Sequence, residues 1–153
     1  MNLFSASLDR DQDDPVGYEA DYLRIGPTIG ASMLGATIYE LGPGQSNCPY
    51  HYEYGNEEWL IVLAGRLTLR TPSGEEELEP GHVVCFPEGA EGAHKLTNRG
   101  DGPVRVLLLS TKRDPSVAVY PDSDKIGVWP GDDRDKLMAK RDSNVDYWTG
   151  EIH

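Results

Sequence analysis

The sequence is poor in cysteine and contains no long apolar run. Two cysteines, Cys48 and Cys85, are too few for a disulfide framework in a chain of 153 residues. No segment approaches the roughly 20 consecutive apolar residues that a membrane-spanning helix requires. The N-terminal segment also lacks the basic and apolar regions of a secretory signal. These absences predict a cytoplasmic protein with both thiols reduced.

Positive charge is scarce as well. Lysine and arginine number 14 against 26 aspartates and glutamates, so the formal net charge is -12. A field of that sign repels nucleic-acid phosphates and anionic lipid surfaces. The composition therefore argues against nucleic acid and membrane as partners, and the charge is first of all a source of solubility.

Helical periodicity is missing from the middle of the chain. The 17 glycines and 11 prolines are spread along the sequence, and no segment between residues 22 and 111 has a convincing apolar period of 3.6 residues. Short apolar segments alternate with turn residues at even spacing, which predicts an all-β sandwich or barrel. The clearest predicted strands are ASMLGATIYEL (31–41), WLIVLA (59–64), RLTLRT (66–71), VVCF (83–86) and VRVLLLST (104–111).

Two of these strands contain residues that we expect to be buried in the core. The continuous apolar run Trp59 to Ala64 indicates a strand buried on both faces. We accordingly expect Trp59 and Cys85 to be core residues.

The length favours one domain with two flanking segments. Residues 1–21 are acidic and poor in large apolar side chains, which indicates an N-terminal arm ordered by packing on a partner subunit. Residues 22–114 carry the predicted barrel. Residues 115–153 form a C-terminal extension that we expect to pack on the barrel or on a partner subunit. Within it, Asp132 to Arg141 is predicted to form a helix with Asp132 or Asp133 near its N-cap.

Two histidines and two glutamates form the constellation with the clearest chemical meaning. His51 and Glu53 are two residues apart, so on one strand they point to the same face. Glu58 opens the next strand, and His94 begins a later one. Two imidazoles and two carboxylates converging inside a small barrel suit a divalent cation. Spacing alone does not separate this interpretation from hydrogen-bonded polar residues on a barrel face.

The same residues lie in two recognisable motifs. PGQSNCPYHYEYGNEEWLIVLAG (43–65) contains a glycine, a His-x-Glu pair, a further glutamate and a closing glycine. PGHVVCFPEGAEGAHKLTN (80–98) contains a glycine, Pro-x-Gly, a histidine and an asparagine in order. Together they resemble the first and second motifs of the cupin superfamily. The resemblance implies a double-stranded β-helix (jelly-roll) barrel, a homodimer, and a metal held by His51, Glu53, Glu58 and His94.

Glu53 departs from the motif, because it stands where the family usually has a second histidine. All four residues could hold Fe, Mn or Zn, since the added carboxylate is a hard ligand. Alternatively, His51, Glu58 and His94 form a two-histidine, one-carboxylate face and leave Glu53 as a catalytic general base. A third interpretation is a site without metal, in which Glu53 is protonated or hydrogen-bonded.

The resemblance leaves the function open among several classes. The first interpretation is a metal-dependent enzyme that acts on a sugar derivative or an organic acid by isomerase, lyase or dioxygenase chemistry. The second is a non-catalytic barrel that binds or senses a small ligand. The third is a dimeric scaffold with an acidic, aromatic docking tail.

Overall fold

Short apolar segments separated by glycine- and proline-containing turns form antiparallel strands throughout the chain. A computed structural model describes residues 1–10 and 12–151. Its strands are β1 Asp9–Arg10, β2 Asp21–Arg24, β3 Leu34–Leu41, β4 Tyr52–Tyr54, β5 Glu58–Ala64, β6 Leu67–Thr71, β7 Gly74–Leu78, β8 Val83–Phe86, β9 Lys95–Thr97, β10 Val104–Thr111, β11 Ser116–Tyr120, β12 Lys125–Trp129 and β13 Leu137–Lys140. One short helical turn, α1 Ile25–Thr28, lies between β2 and β3, and short 3-10 turns cover Ala90–Gly92, Pro121–Ser123, Asp133–Asp135 and Arg141–Ser143. None of these described helices is long and apolar enough to cross a membrane.

The strands assemble into a jelly-roll barrel, as the sequence predicts. A six-stranded sheet has the order β1-β2-β3-β10-β5-β8, a four-stranded sheet the order β13-β12-β11-β4, and a three-stranded sheet the order β7-β6-β9. The main core lies between the six-stranded and the three-stranded sheets. Its fully buried side chains include Leu41, Leu60, Val62, Leu67, Leu69, Leu96 and Val106.

The N-terminal arm packs on the barrel of its own chain. Strand β1 pairs with β2 at the edge of the six-stranded sheet. A second apolar cluster, centred on Ile38, lies on the outer face of that sheet, and Leu3, Ala6 and Leu8 pack against it. The arm therefore covers part of that outer face.

The C-terminal extension also joins the barrel through backbone pairing. Strand β11 pairs with β12 and with β4, the strand that follows His51. The helix predicted for residues 132–141 is wrong: Asp133–Asp135 forms a single 3-10 turn, and Leu137–Lys140 pairs with β12. Asp132 does cap that turn, since its side chain accepts a hydrogen bond from the Arg134 N–H. The edge of β12 that is not paired with β11 can form backbone hydrogen bonds with a further strand. These bonds stabilise residues 137–140 as a strand, whereas a short helix there would have little tertiary packing to stabilise it.

Two predicted core residues lie outside the core. The strand predicted from Trp59 is β5, but its burial alternates instead of covering both faces. Trp59 keeps 45% of its surface exposed, and Cys85, its partner across the β5–β8 pair, is exposed as well. Both point outward because successive residues of a strand face opposite sides of the sheet, and the inward positions belong to Leu60 and Phe86.

Candidate metal centre

His51 and His94 are brought together by the backbone. Each lies immediately before a short strand, β4 or β9, and the two residues form an antiparallel bridge. The His51 N–H donates to the His94 carbonyl at 3.1 Å, and the His94 N–H donates to the His51 carbonyl at 2.8 Å. Both side chains therefore point into the barrel, with ring centroids 4.7 Å apart. Residues 43 positions apart in sequence become direct neighbours.

Local carbonyl groups fix the tautomer of both rings. Nδ1 of His51 lies 3.0 Å from the Pro49 carbonyl, and Nδ1 of His94 lies 2.9 Å from the Gly92 carbonyl. A carbonyl oxygen can only accept, so each Nδ1 carries the proton and each Nε2 carries a lone pair. Such carbonyl partners are the usual way in which a protein orients a histidine that binds metal through its other nitrogen.

Glu58 completes a triad around these lone pairs. As the first residue of β5, it places Oε2 at 3.8 Å from His51 Nε2 and at 3.6 Å from His94 Nε2. The ligand atoms of His51, Glu58 and His94 all lie within 4.8 Å of one another. Among the described residues, the buried Nε2 of His94 has no hydrogen-bond partner.

Burial sets the charge states of the triad. Burial, together with the nearby Glu53 carboxylate, raises the pKa of the Glu58 carboxyl to about 8. Burial lowers the pKa of His94 to about 4 with help from His51, and burial also lowers the pKa of His51. Both imidazoles are therefore neutral near pH 7, as metal ligation requires. Glu58 needs a neighbouring cation to ionise at that pH.

Glu53 lies beside the triad without belonging to it. It is on β4, lines the same cavity as His51 and Glu58, and is absent from the group of mutually close ligand atoms. Burial raises the pKa of its carboxyl, while a hydrogen bond to Asn56 acts in the opposite direction. Of the four sequence-predicted ligands, the structure thus brings together His51, Glu58 and His94, with Glu53 next to them.

Asn56 is a site residue that the sequence reasoning missed. It is 9% exposed, and its Oδ1 accepts hydrogen bonds from the Thr111 hydroxyl and the Arg113 N–H. The amide NH₂ group of Asn56 is therefore the part of this side chain that can donate to the Glu53 carboxyl group. The available signal was the Gly55-Asn56 pair between two strands, which in the sequence indicates only a turn.

Aromatic rings form the walls around the two histidines. The Phe86 ring stacks on the His94 ring at 3.7 Å between centroids, with an interplanar angle of 7°. The Tyr120 ring stacks on His51 at 5.8 Å. Tyr120 comes from β11 in the C-terminal extension, so that segment contributes directly to the centre.

Cys48 lies next to the centre as a protonated thiol. Its Sγ is 3.6 Å from Nδ1 of His51, the nitrogen that faces away from Glu58. Burial raises the pKa of the Cys48 thiol to about 12. Cys48 is not part of the group of mutually close ligand atoms that His51, Glu58 and His94 form.

A cavity of about 410 Å³ opens at His51 and Glu58. This volume is within the usual range for small-molecule sites. Polar and charged side chains dominate the lining, which consists of His51, Glu53, Asn56, Glu58, Ser110, Thr111, Lys112, Arg113, Asp114, Ser116, Tyr120 and Trp129. The site thus combines two neutral imidazoles and the Glu58 carboxyl with a further carboxyl group, that of Glu53, on the cavity wall.

Comparison with known proteins relates this geometry to one superfamily. Residues 37–110 match the family model of the Cupin domain. A sugar phosphate isomerase of the cupin superfamily from Silicibacter pomeroyi is 25% identical, with 96% of each chain covered and a TM-score of 0.81. A proposed sugar phosphate isomerase from Acidithiobacillus ferrooxidans is 22% identical over 94% of this chain and 91% of that chain, with a TM-score of 0.82.

A polyketide cyclase from Streptomyces resistomycificus is 23% identical over 76% of this chain and 81% of that chain, with a TM-score of 0.60. At this identity, and at that of the Acidithiobacillus protein, the likeness establishes a shared fold alone. No curated protein sequence matches the chain.

Proposed function

The chain belongs to the cupin superfamily, and on that premise we propose that it is a metal-dependent isomerase that acts on a small sugar derivative. The observation that carries the proposal is the buried, unpartnered Nε2 of His94, which faces Glu58 beside Nε2 of His51. A buried nitrogen lone pair without a partner is costly unless a ligand satisfies it. The name of the Silicibacter pomeroyi protein, which aligns over 96% of both chains, supports the choice of isomerase.

The triad fits a divalent cation in both spacing and charge. Two ligands that are each about 2.1 Å from one ion lie roughly 3.0 to 3.4 Å apart. The separations of 3.6 and 3.8 Å between Glu58 and the two Nε2 atoms are slightly larger, so a small inward movement would close them on an ion. The histidine Nε2 atoms cannot donate to Glu58, because each carries a lone pair.

His51, Glu58 and His94 would hold the ion. Imidazole nitrogen together with carboxylate oxygen suits Fe(II), Mn or Zn. When bound, such an ion supplies Lewis-acid polarisation of a substrate carbonyl or hydroxyl oxygen.

Glu53 is the group that we assign to proton transfer. Isomerisation of a hydroxy aldehyde to a hydroxy ketone removes a proton from the carbon next to the carbonyl and returns a proton to the former carbonyl carbon. The hydroxyl group loses its proton, and the former carbonyl oxygen gains one. Electrons are conserved within the substrate, so no external oxidant or reductant is required. Burial raises the pKa of the Glu53 carboxyl, which makes Glu53 a stronger base than a solvent-exposed glutamate and suits it to this exchange.

Asn56 and the cavity walls support this role. The Asn56 amide NH₂ holds the Glu53 carboxylate, and its Oδ1 is anchored by Thr111 and Arg113. Tyr120 and Trp129 line the cavity with apolar surface. Such surface limits the access of water to a proton in transit.

The test begins with metal content, measured by inductively coupled plasma mass spectrometry on untagged protein. We expect stoichiometric Fe, Mn or Zn in the wild type and its loss in His51→Ala and His94→Ala. Absence of metal after reconstitution with each ion would refute the proposal.

The second part is turnover in D₂O, followed by proton NMR with a panel of aldose and ketose phosphates and their unphosphorylated forms. We expect interconversion together with deuterium incorporation at the carbon next to the carbonyl. Metal binding and ligand binding without exchange or turnover would instead support a non-catalytic binding protein. Products of bond cleavage or oxygen consumption would indicate lyase or dioxygenase chemistry.

A further inference from the structure

Two adjacent cations line the cavity that opens at His51 and Glu58. The formal net charge of the protein is -12. Lys112 and Arg113 line that cavity together with His51 and Glu53. They follow directly after β10, where the chain turns towards β11. The same lining also holds three carboxyl groups, so these two cations are the side chains in it that attract an anion.

The backbone of this pair is held in place by its neighbours. The Lys112 N–H donates to the Met33 carbonyl at 3.0 Å, and the Arg113 N–H donates to Oδ1 of Asn56 at 3.0 Å. Asn56 also contacts Glu53. The segment that carries the two cations is therefore connected to the candidate proton-transfer group through one buried side chain.

The charged ends of the two side chains are nearly uncompensated. Among the described residues, Lys112 makes no ion pair, and Arg113 approaches Glu88 only at 3.8 Å, with 69% of its side chain exposed. Both side chains are thus free to bind an anion without first breaking a strong interaction. The hydroxyl groups of Ser110 and Ser116 line the same cavity and can add hydrogen bonds.

A second groove, on the outer face of the three-stranded sheet, is also lined by cations. Asp122 accepts two hydrogen bonds from Arg70, at 2.6 and 2.9 Å, and Glu75 accepts one from Arg99 at 2.6 Å. An anion in that groove would compete with carboxylates that already occupy the guanidinium groups. Lys112 and Arg113 are less tightly held, since the ion pair there is Arg113 with Glu88 at 3.8 Å.

We propose that Lys112 and Arg113 bind an oxyanion group of the substrate, a phosphate or a carboxylate, while its hydroxyl or carbonyl end lies at His51, Glu58 and His94. The assignment rests on the proposed function for the position of the reacting end, and it adds the anionic nature of the substrate. Arginine and lysine bind such groups through charge-assisted hydrogen bonds. The cavity of about 410 Å³ has room for a molecule of this size.

The experiment compares three ligands that share a three-carbon skeleton: glycerol 1-phosphate, glycerate and glycerol. Their dissociation constants are measured by isothermal titration calorimetry on metal-loaded protein. We expect wild-type protein to bind at least one of the two anions at least tenfold more tightly than glycerol. The double variant Lys112→Gln, Arg113→Gln should lose this preference while retaining its metal content. Preference for glycerol 1-phosphate or for glycerate identifies the anion.

The matched control is Arg66→Gln, Lys136→Gln, which removes the same charge from exposed residues that do not line the cavity. It should keep the preference of the wild type. An anion preference that survives in the Lys112, Arg113 variant, or that is missing from the wild type, would overturn the inference.

Anion binding and catalysis can fail independently. Loss of anion preference in the double variant, without any turnover by the wild type, supports the anion site and refutes the isomerase. Turnover by a wild type that shows no anion preference refutes the anion site and leaves the isomerase standing.

Discussion

The His94 ring is fixed from two sides before any ligand arrives. Its Nδ1 donates to the Gly92 carbonyl, and its flat face stacks on Phe86. A ring held in this way loses little rotational freedom on binding a metal. Preorganisation of this kind keeps the buried, unpartnered Nε2 of His94 directed at Glu58.

The role of Glu53 can be separated from that of a ligand by substitution. Because Gln cannot move a proton, we expect Glu53→Gln to lower kcat by about 10²- to 10⁴-fold while metal content stays unchanged. Steady-state kinetics and mass-spectrometric metal analysis provide the two measurements. Glu53→His is the control: if Glu53 were only a ligand, the histidine variant would stay active. Turnover retained by Glu53→Gln would contradict the assignment.

Glu58 and His94 give the metal-free protein a defined pH dependence. The folded pKa of Glu58 is raised from 4.5 to about 8, so its contribution to stability is complete below pH 4.5 and is lost as the pH rises through about 8. The folded pKa of His94 is lowered from 6.5 to about 4, so its contribution is complete above pH 6.5 and is lost as the pH falls through about 4. Between pH 6.5 and pH 8.5, Glu58 is therefore the titrating member of this pair.

We expect the free energy of unfolding of chelator-treated protein to fall between pH 6.5 and pH 8.5. Urea unfolding in the presence of a chelator measures it at each pH. Glu58→Gln removes the titrating group and should flatten the dependence over this interval. An equally steep decline in that variant would assign the effect to other residues.

At the level of elements, the turn before β9 determines where His94 lies. Residues Ala90–Gly92 form a 3-10 turn, and a Cβ at Gly92 would overlap the backbone carbonyl of Pro87. The Gly92 carbonyl is also the acceptor for the His94 ring. Only glycine permits this close approach, so the turn and the orientation of the ligand depend on one position.

We expect Gly92→Ala to reduce the free energy of unfolding by roughly 1–3 kcal/mol through overpacking and to weaken metal binding at the same time. Chemical denaturation and metal titration test the two effects. Gly102→Ala serves as the matched control, because a Cβ there meets nothing within 4 Å. A Gly92→Ala protein with wild-type stability and metal affinity would show that the turn relaxes without cost.

The element level is also where the sequence-based predictions fail most visibly. The run from Trp59 is correctly predicted as a strand, but its uniformly apolar letters do not reveal which side faces the core. The segment 132–141 is predicted as a helix because its local composition permits one, whereas pairing with β12 makes it a strand. In both cases the deciding interactions come from residues distant in sequence.

At the scale of the whole molecule, exposed apolar side chains remain on the outer face of the six-stranded sheet. Leu34, Trp59 and Val83 are between 45% and 56% exposed, beyond the part that the N-terminal arm covers. Clusters of exposed apolar side chains commonly mark interaction sites. In a symmetric dimer, one such face can cover its own copy.

The homodimer expected from the sequence stays a prediction, and we expect this face to form its interface. Analytical ultracentrifugation should give twice the chain mass of 16.9 kDa. Trp59→Glu, which places a charge on that face, should shift the protein towards monomer, whereas Arg66→Glu, at an exposed residue just before β6, should not. Sedimentation of the wild type as a monomer at all concentrations would show that the protein does not form this dimer.

The barrel and its family were accessible from the sequence because their signals are local. Turn residues at even spacing and short apolar strands indicate a β barrel, and each of the two motifs is a continuous stretch of about 20 residues. His51 and His94 could be selected because each sits within its own motif. The strand positions of Glu53 and Glu58 follow from the same local pattern.

The convergence of these residues was decided by the tertiary structure. Backbone pairing brings His51 next to His94, and the start of β5 places Glu58 beside both rings. Glu53 lies on β4 next to this triad, near Asn56. Tyr120, Lys112 and Arg113 reach the same cavity from later parts of the chain. Strand register, burial and the resulting pKa values depend on contacts between segments far apart in sequence, and no local pattern of residues encodes those contacts.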